Sequence, residues 1–398
     1  MKKIYYGKAV YDSKEINAVI KVLRNDSLTL IDGKKVKILE RTVAKIFGKK
    51  FGLMVNSGSS ANLLSMASFN FKKGSEIITP NLTFSTTVAP IFQLGLVPHF
   101  VGVEKNKFVV DPKQIEKCIN KKTVALMIPN LLGNIADWKS IHKIAKKYKL
   151  KVIEDSADTI GYSVNGNNLG KYSDISTNSF YASHIINGAG TGGIACFNDY
   201  KLYEKAKLLR GWGRSSATFN ESESVSKRFN IKISGIDYDA KYIFSELGYN
   251  FLPSEISAAF ALVQLKNLKK NITNRSDNFD YLKNAISTSH NMRTFQTYDN
   301  VYTGWLAFPL MLEGKLKNKR KEFQVCLEKA GIQTRTIFTG NILRQPVASK
   351  FKWDSFGTFD QSDEVMSNGI LLGCHNQMSR DKLDYMINKI KETEKCLI

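Results

Sequence analysis

The segment Asn56-Ser57-Gly58-Ser59-Ser60-Ala61-Asn62 follows an apolar run and opens a helical pattern. Glycine at 58 permits close approach, the first N–H groups of a helix lack intrahelical acceptors, and the hydroxyls of Ser59 and Ser60 add donors. Such a turn can seat a phosphate, although small-residue turns are also common as plain connections. In KVIEDSADTIG, Asp155 stands just past a run expected to be buried, where an unpaired carboxylate is costly. A protonated pyridine nitrogen would satisfy it, and so would a helix cap or a structural ion pair. STNSFYASHIINGAGTGG carries Ser179, Ser183 and His184 ahead of a glycine cluster. The imidazole there is a candidate general base, or a loop histidine with only structural bonds. Phe84, in TPNLTF, reads as a core aromatic unless a ligand ring lies against it.

These residues need a scaffold, and the chain supplies a pattern for one. Short apolar runs, FGLMV (51–55), EIIT (76–79), VPHFVGV (97–103), VALMI (124–128), KVIE (151–154), ISTNSFY (175–181) and GGIACF (192–197), alternate with helical patterns such as SANLLSMASF, DPKQIEKCI and DWKSIHKIAKKY. That alternation predicts an α/β fold with a mostly parallel sheet and helices on both faces. Ligands of such sheets sit beyond the C-terminal ends of the strands, which is where the segments above fall. A polar, Ser-rich stretch (211–230) then precedes one long amphipathic helix, PSEISAAFALVQLKNLKKNI (253–272). The expected organisation is a large cofactor-binding α/β domain, residues 1–270, and a smaller C-terminal α+β domain, residues 271–398, ending in the helix SRDKLDYMINKIKETEK.

Composition narrows the function classes. With 398 residues and 43% hydrophobic side chains, the chain is of ordinary globular character. No apolar run reaches the ~18 residues of a membrane helix, the basic start lacks the apolar core of a signal peptide, and Cys396 in KCLI is one place wrong for prenylation. A cytoplasmic enzyme that engages no membrane is expected. The net charge of +22 raises nucleic acid as a partner, but only 11 of the 58 basic residues are Arg, and the lysines are scattered along helical stretches. A solvated basic surface, with no nucleic acid, is the simpler reading. Five dispersed cysteines without a CxxC pair, and five histidines without paired spacing, argue against disulfides and metal centres.

The order NSGSSAN, TPNLTF, VIEDSAD, SFYASH…GTGG and GYNFLPSEISAAFALVQL resembles the vitamin-B6-dependent sugar aminotransferases of fold type I, the aspartate aminotransferase-like fold, over nearly the whole chain. The resemblance implies pyridoxal phosphate (PLP) or pyridoxamine phosphate (PMP) as cofactor. It assigns Gly58, Ser59, Ser60 and Ser179 to the phosphate, Phe84 to stacking on the pyridine ring and Asp155 to its nitrogen. Asn250 of GYN would reach the phosphate of the partner subunit, which implies a homodimer with shared active sites. Ser183 and Asp158 complete the expected cofactor site.

One departure changes the implied reaction. Relatives carry lysine where this chain has His184, five residues after Ser179, and the nearest lysines, Lys171 and Lys201, lie well outside that place. An amine can tether the pyridoxal carbonyl covalently, whereas an imidazole cannot. Members with this Lys-to-His exchange are nucleotide-sugar 3-dehydratases. Asp158, where aminotransferases usually have Gln, and TRTIFTGNILRQP (334–346) are similar to that group. The resemblance implies PMP-dependent removal of the C3 hydroxyl from a 4-keto-6-deoxyhexose, with GDP-4-keto-6-deoxy-D-mannose as the implied substrate, in dideoxysugar (colitose-type, O-antigen) synthesis. His184 would be the base and L-glutamate would regenerate PMP. The related branch that uses an iron–sulfur cluster needs four clustered cysteines, which this chain lacks. Arg214 and Arg344 are candidates for the diphosphate or for structural ion pairs. An aminotransferase using another lysine, or a non-catalytic cofactor-binding sensor, are the alternatives.

Overall fold

A computed structural model describes residues 3–26, 29–168, 170–218 and 224–398. Its centre is an eight-stranded sheet in the order Phe51–Val55, Gly193–Phe197, Ile175–Ser179, Lys151–Asp155, Thr123–Pro129, Glu76–Pro80, Val97–Val101 and Asp354–Phe356. Only Gly193–Phe197 runs antiparallel to its neighbours. The runs read from sequence are these strands, each within two residues at either end. Their inner residues, Leu126, Met127 and Ile153 among them, are fully buried. Continuous burial is what a parallel sheet covered on both faces requires, and it explains the unbroken apolar runs.

The helices between the strands begin at short polar caps. The carboxylates of Asp111, Asp137 and Asp199 each accept a hydrogen bond from a first-turn N–H of the helix they precede. Each such cap is worth about 1 kcal/mol. Helix Lys34–Ile46 is capped from a distance instead. Fully buried Glu255 accepts from the N–H groups of Gly33 (2.9 Å), Lys35 (3.0 Å) and Val36 (2.8 Å). The single helix expected over 253–272 is two, Glu255–Lys266 and Leu268–Ile286, parted at Asn267, whose ψ of 6° leaves the helical range. The first is not amphipathic: Ser257, Ala258, Ala259, Phe260 and Ala261 are all buried.

A second sheet, in the order Met292–Arg293, Phe308–Leu312, Gly369–Leu372 and Arg335–Thr336, is antiparallel throughout. With helices Arg320–Lys329 and Arg380–Leu397 it forms a smaller lobe around Phe308, Leu310, Phe323, Leu372 and Leu383. Phe279 and Trp305 stack in this core with ring centroids 3.9 Å apart. Several pairings cross between lobes, that of Leu82 with Asn341 among them. The N-terminal Ile4 pairs with Ile332 of the small lobe, and Asp354–Phe356 pairs with Val97–Val101 of the large sheet. The expected boundary after residue 270 falls inside helix Leu268–Ile286. Of the Ser-rich stretch 211–230, residues 219–223 lie outside the described residues. Among the described residues no helix is long and apolar enough to cross a membrane.

Candidate active site

The parallel strands deliver their C-terminal ends to one cavity of about 760 Å³, closed on its far side by the small lobe. At one end of it, strand Phe51–Val55 turns into helix Gly58–Ser68. The Ser57 hydroxyl oxygen accepts from the Ser60 N–H (3.0 Å), while the Ser60 hydroxyl donates to Asn56 Oδ1 (2.6 Å). This cap leaves the N–H groups of Gly58 and Ser59 without intrahelical acceptors at the cavity wall. A Cβ on Gly58 would lie 2.6 Å from that of Ser179, so only glycine lets the two segments meet. The result is a small concavity of backbone N–H groups and hydroxyls from Ser59 and Ser179 at a helix N-terminus, while the Thr191 hydroxyl donates to the Asn56 carbonyl oxygen. Its electrostatics favour a phosphate.

Asp155 ends strand Lys151–Asp155, the neighbour of Ile175–Ser179, and is buried at the cavity wall. Its Oδ2 accepts from Asn62 Nδ2 (2.8 Å) and Thr87 Oγ1 (2.7 Å), and its Oδ1 from the Ala157 N–H (3.1 Å). Burial raises its pKa, opposed by those three hydrogen bonds. No ion pair joins it among the described residues, so a carboxylate faces the cavity wanting a cation. Asp158, one turn on, accepts from the Leu132 N–H (2.9 Å). Burial, reinforced by the charge of Asp155, pushes its pKa up to about 7.

His184 lies in the turn after strand Ile175–Ser179 and opens onto the same space. Its Nδ1 is 3.3 Å from the Ser179 carbonyl oxygen. A carbonyl can only accept, so Nδ1 carries the proton and Nε2 keeps its lone pair. Burial lowers the imidazole pKa to about 4, helped by the guanidinium of Arg275 and resisted by the backbone contact to Ser179. The ring is therefore neutral at ordinary pH. Phe84 is 50% exposed and lines the cavity, and its ring meets that of Phe338 edge-on, with centroids 5.6 Å apart. An aromatic face held open in this way suits a stacked ring.

The cavity thus gathers Gly58, Ser59, Phe84, Asp155, Asp158, Ser179, Ser183 and His184 from separate stretches of chain. Ser60 is next to the site, but its hydroxyl is spent on Asn56. Asn250 lies outside its own chain's cavity, bridged to Gly211. Arg214 stacks on Trp212, 4.3 Å from the ring, beside a separate basic cavity of about 720 Å³. Arg344 pairs with Asp363 through two hydrogen bonds (3.1 and 2.8 Å). Other lining residues carry function that sequence reasoning did not single out. Asn62 and Thr87 support Asp155, Tyr6 arrives with the N-terminal segment, and Arg335 is the one Arg or Lys lining the cavity among the described residues. Asn62 could have been found, because it follows Gly58 by four residues and shares its helix face. Tyr6 and Arg335 had no local signal.

A phosphate seat, an open aromatic face and a buried carboxylate without a cation fit the three parts of pyridoxal phosphate. Fold and site together define a PLP-dependent protein of the fold type I, aminotransferase-like class. The chain belongs to the DegT/DnrJ/EryC1/StrS aminotransferase family, whose model matches residues 10–391, and this family comprises PLP-dependent sugar-modifying enzymes. It is 31% identical to the GDP-4-keto-6-deoxy-D-mannose 3-dehydratase of Yersinia pseudotuberculosis, over 97% of this chain and 98% of that one. Among solved structures it is similar to a mutant GDP-4-keto-6-deoxymannose-3-dehydratase with bound GDP-perosamine, with a TM-score of 0.87 and 28% identity over 98% of this chain and 100% of that one. A GDP-4-keto-6-deoxymannose-3-dehydratase with a trapped PLP-glutamate geminal diamine matches with a TM-score of 0.87 and 27% identity, over 97% and 100% of the two chains.

Proposed function

We propose that this chain is a PMP-dependent lyase that removes the C3 hydroxyl of a GDP-linked 4-keto-6-deoxyhexose, with L-glutamate restoring PMP from PLP. The observation that carries the reading is His184 in the cavity with no lysine among the described lining residues. The bound cofactor would supply an amine for the sugar ketone and a ring that accepts an electron pair.

The chain's own residues do the rest. Gly58, Ser59 and Ser179 hold the phosphate, Phe84 lies against the ring, and Asp155 keeps the ring nitrogen protonated. Ser179 orients the imidazole through Nδ1, so that Nε2 takes a proton and then returns it to the departing hydroxyl. Positioned proton transfer of this kind contributes about 10²–10⁴-fold. A lysine in the same place would both tether the cofactor and favour delivery of the proton to the sugar carbon.

The named relatives support the GDP sugar, and the PLP-glutamate adduct in one of them supports glutamate as amino donor. A homodimer with shared sites is supported by two features. Phe229, Tyr238, Tyr242, Phe244 and Leu247 (96% exposed) form an apolar surface along 229–247 that suits contact with a second copy. Asn250, next to it, sits outside its own cavity, where it can serve the partner's. Arg214 belongs to the same surface, stacked among Trp212, Tyr242 and Phe244.

The test is direct. Purified protein is incubated with PLP, L-glutamate and GDP-4-keto-6-deoxymannose, and products are read by mass spectrometry. Formation of 2-oxoglutarate, ammonia and the 3-deoxy sugar is expected. An amino sugar would overturn the proposal in favour of aminotransfer.

A further inference from the structure

Helix Leu268–Ile286 sends one fully buried side chain toward the candidate site. Arg275 is 1% exposed, and no carboxylate pairs with it among the described residues. A guanidinium in such a place normally has an acidic partner, because desolvating the charge costs several kcal/mol. Here all four hydrogen bonds go to backbone carbonyls. Nη1 donates to the oxygens of Trp305 (3.0 Å) and Leu306 (3.1 Å), and Nη2 to those of Ser183 and His184 (3.3 Å each). Its Nε–H finds no acceptor among the described residues. Arg275 thus clamps the cavity wall at Leu306 to the turn that carries the imidazole.

We infer that Arg275 is a positioning residue for His184: its planar fork fixes the backbone of the 183–184 turn, and its uncompensated charge disfavours a second positive charge on the neighbouring ring. Methionine or glutamine in its place would fill much of the volume. Only arginine brings parallel donors that reach two carbonyls on each side together with a permanent charge.

The charges around His184 do not cancel this effect. Asp155 and Asp158 face the cavity from the 155–158 turn, and Tyr6 faces it from the N-terminal segment. Tyr181 lies edge-on to the ring at 5.9 Å, and Arg335 stands on the small-lobe wall. Among the charges that shift the imidazole, the guanidinium of Arg275 lowers its pKa, and neither aspartate figures beside it. Behind Arg275, His375 is also held down to about 4, by burial first and by Arg275 second. Burial is the main cause at both imidazoles, and one buried guanidinium adds to it at each.

The catalytic consequence rests on the proposed base role of His184, but the inference itself is read without turnover. Full-length protein loaded with PLP and labelled with ¹⁵N-histidine is titrated by NMR, the His184 signal being assigned from its loss in His184→Asn. In the wild type, His184 is expected to stay the neutral Nδ1–H tautomer down to about pH 5. In Arg275→Gln its midpoint should rise by roughly half to one pH unit. Arg275→Lys loses the fork, so the Nε2–H tautomer should appear and kcat should fall about tenfold or more at constant KM. Wild-type titration in the Gln variant would overturn the inference. Should that variant not fold, the Lys variant decides, since an unchanged tautomer and kcat overturn it equally. A wild-type enzyme that releases an amino sugar would instead sink the proposed function and leave the titration result standing.

Discussion

Replacing His184 with asparagine should change how stability depends on pH, and the size of the change follows from the environment of the ring. Burial holds the folded imidazole at about 4, against ~6.5 in an unfolded chain. Between those values the unfolded chain takes up a proton that the folded chain refuses, so stability is lost as pH falls below 6.5 and is unaffected above it. Linkage over the gap gives about 2 kcal/mol at pH 5. His375 acts in the same direction. Glu40 and Asp158, both raised to about 7 chiefly by burial, act in the opposite one, because they hold protons in the folded state that the unfolded chain releases above about 4. All three are common to wild type and His184→Asn and cancel in the difference. Urea unfolding of both proteins, without cofactor, near pH 5 and near pH 7.5 measures that difference. The gap between them should move by about 2 kcal/mol in the variant's favour on acidification. A gap that stays constant with pH would refute the depressed pKa and the neutral imidazole at mildly acidic pH.

Asp155→Asn removes the negative charge at the cavity wall while keeping a side chain of the same shape. The dissociation constant for PLP, read by fluorescence titration, should rise on the order of 30-fold, equivalent to about 2 kcal/mol, with affinity for inorganic phosphate unchanged. Unaltered PLP affinity would contradict the pairing with the ring nitrogen. Glu255→Ala leaves three N–H groups at the start of helix Lys34–Ile46 without their acceptor, and unfolding by urea should show a loss of about 3 kcal/mol. A loss within experimental error would show that water replaces the carboxylate.

Much of this architecture was readable because it is local. Strands such as Thr123–Pro129 announce themselves as apolar runs; Asp155 ends one of them, and the turns after two others carry Gly58 and His184 within a few residues of the strand ends. What was not readable depends on partners distant in the chain. The break at Asn267 is hidden because Leu265 and Leu268 continue the apolar pattern across it. Ser60 looks like a ligand donor in sequence, and only the positions of Asn56 and Ser57 show its hydroxyl turned to the cap. Tyr6 and Arg335 reach the cavity through the pairing of Ile4 with Ile332, a contact between residues more than three hundred positions apart. Arg275, within NRSDN, looks like any solvent-facing helix arginine until the lobes close over it.

The pairing of Asp354–Phe356 with Val97–Val101 also bears on how pieces of this chain can be handled. Without those three residues, the last parallel strand of the large sheet would present a free row of donors and acceptors, the kind of margin on which other molecules add strands and precipitate. An excised N-terminal half would carry that open selvage into solution. Protein engineers seeking a minimal cofactor-binding fragment should therefore keep the late segment that hems the sheet.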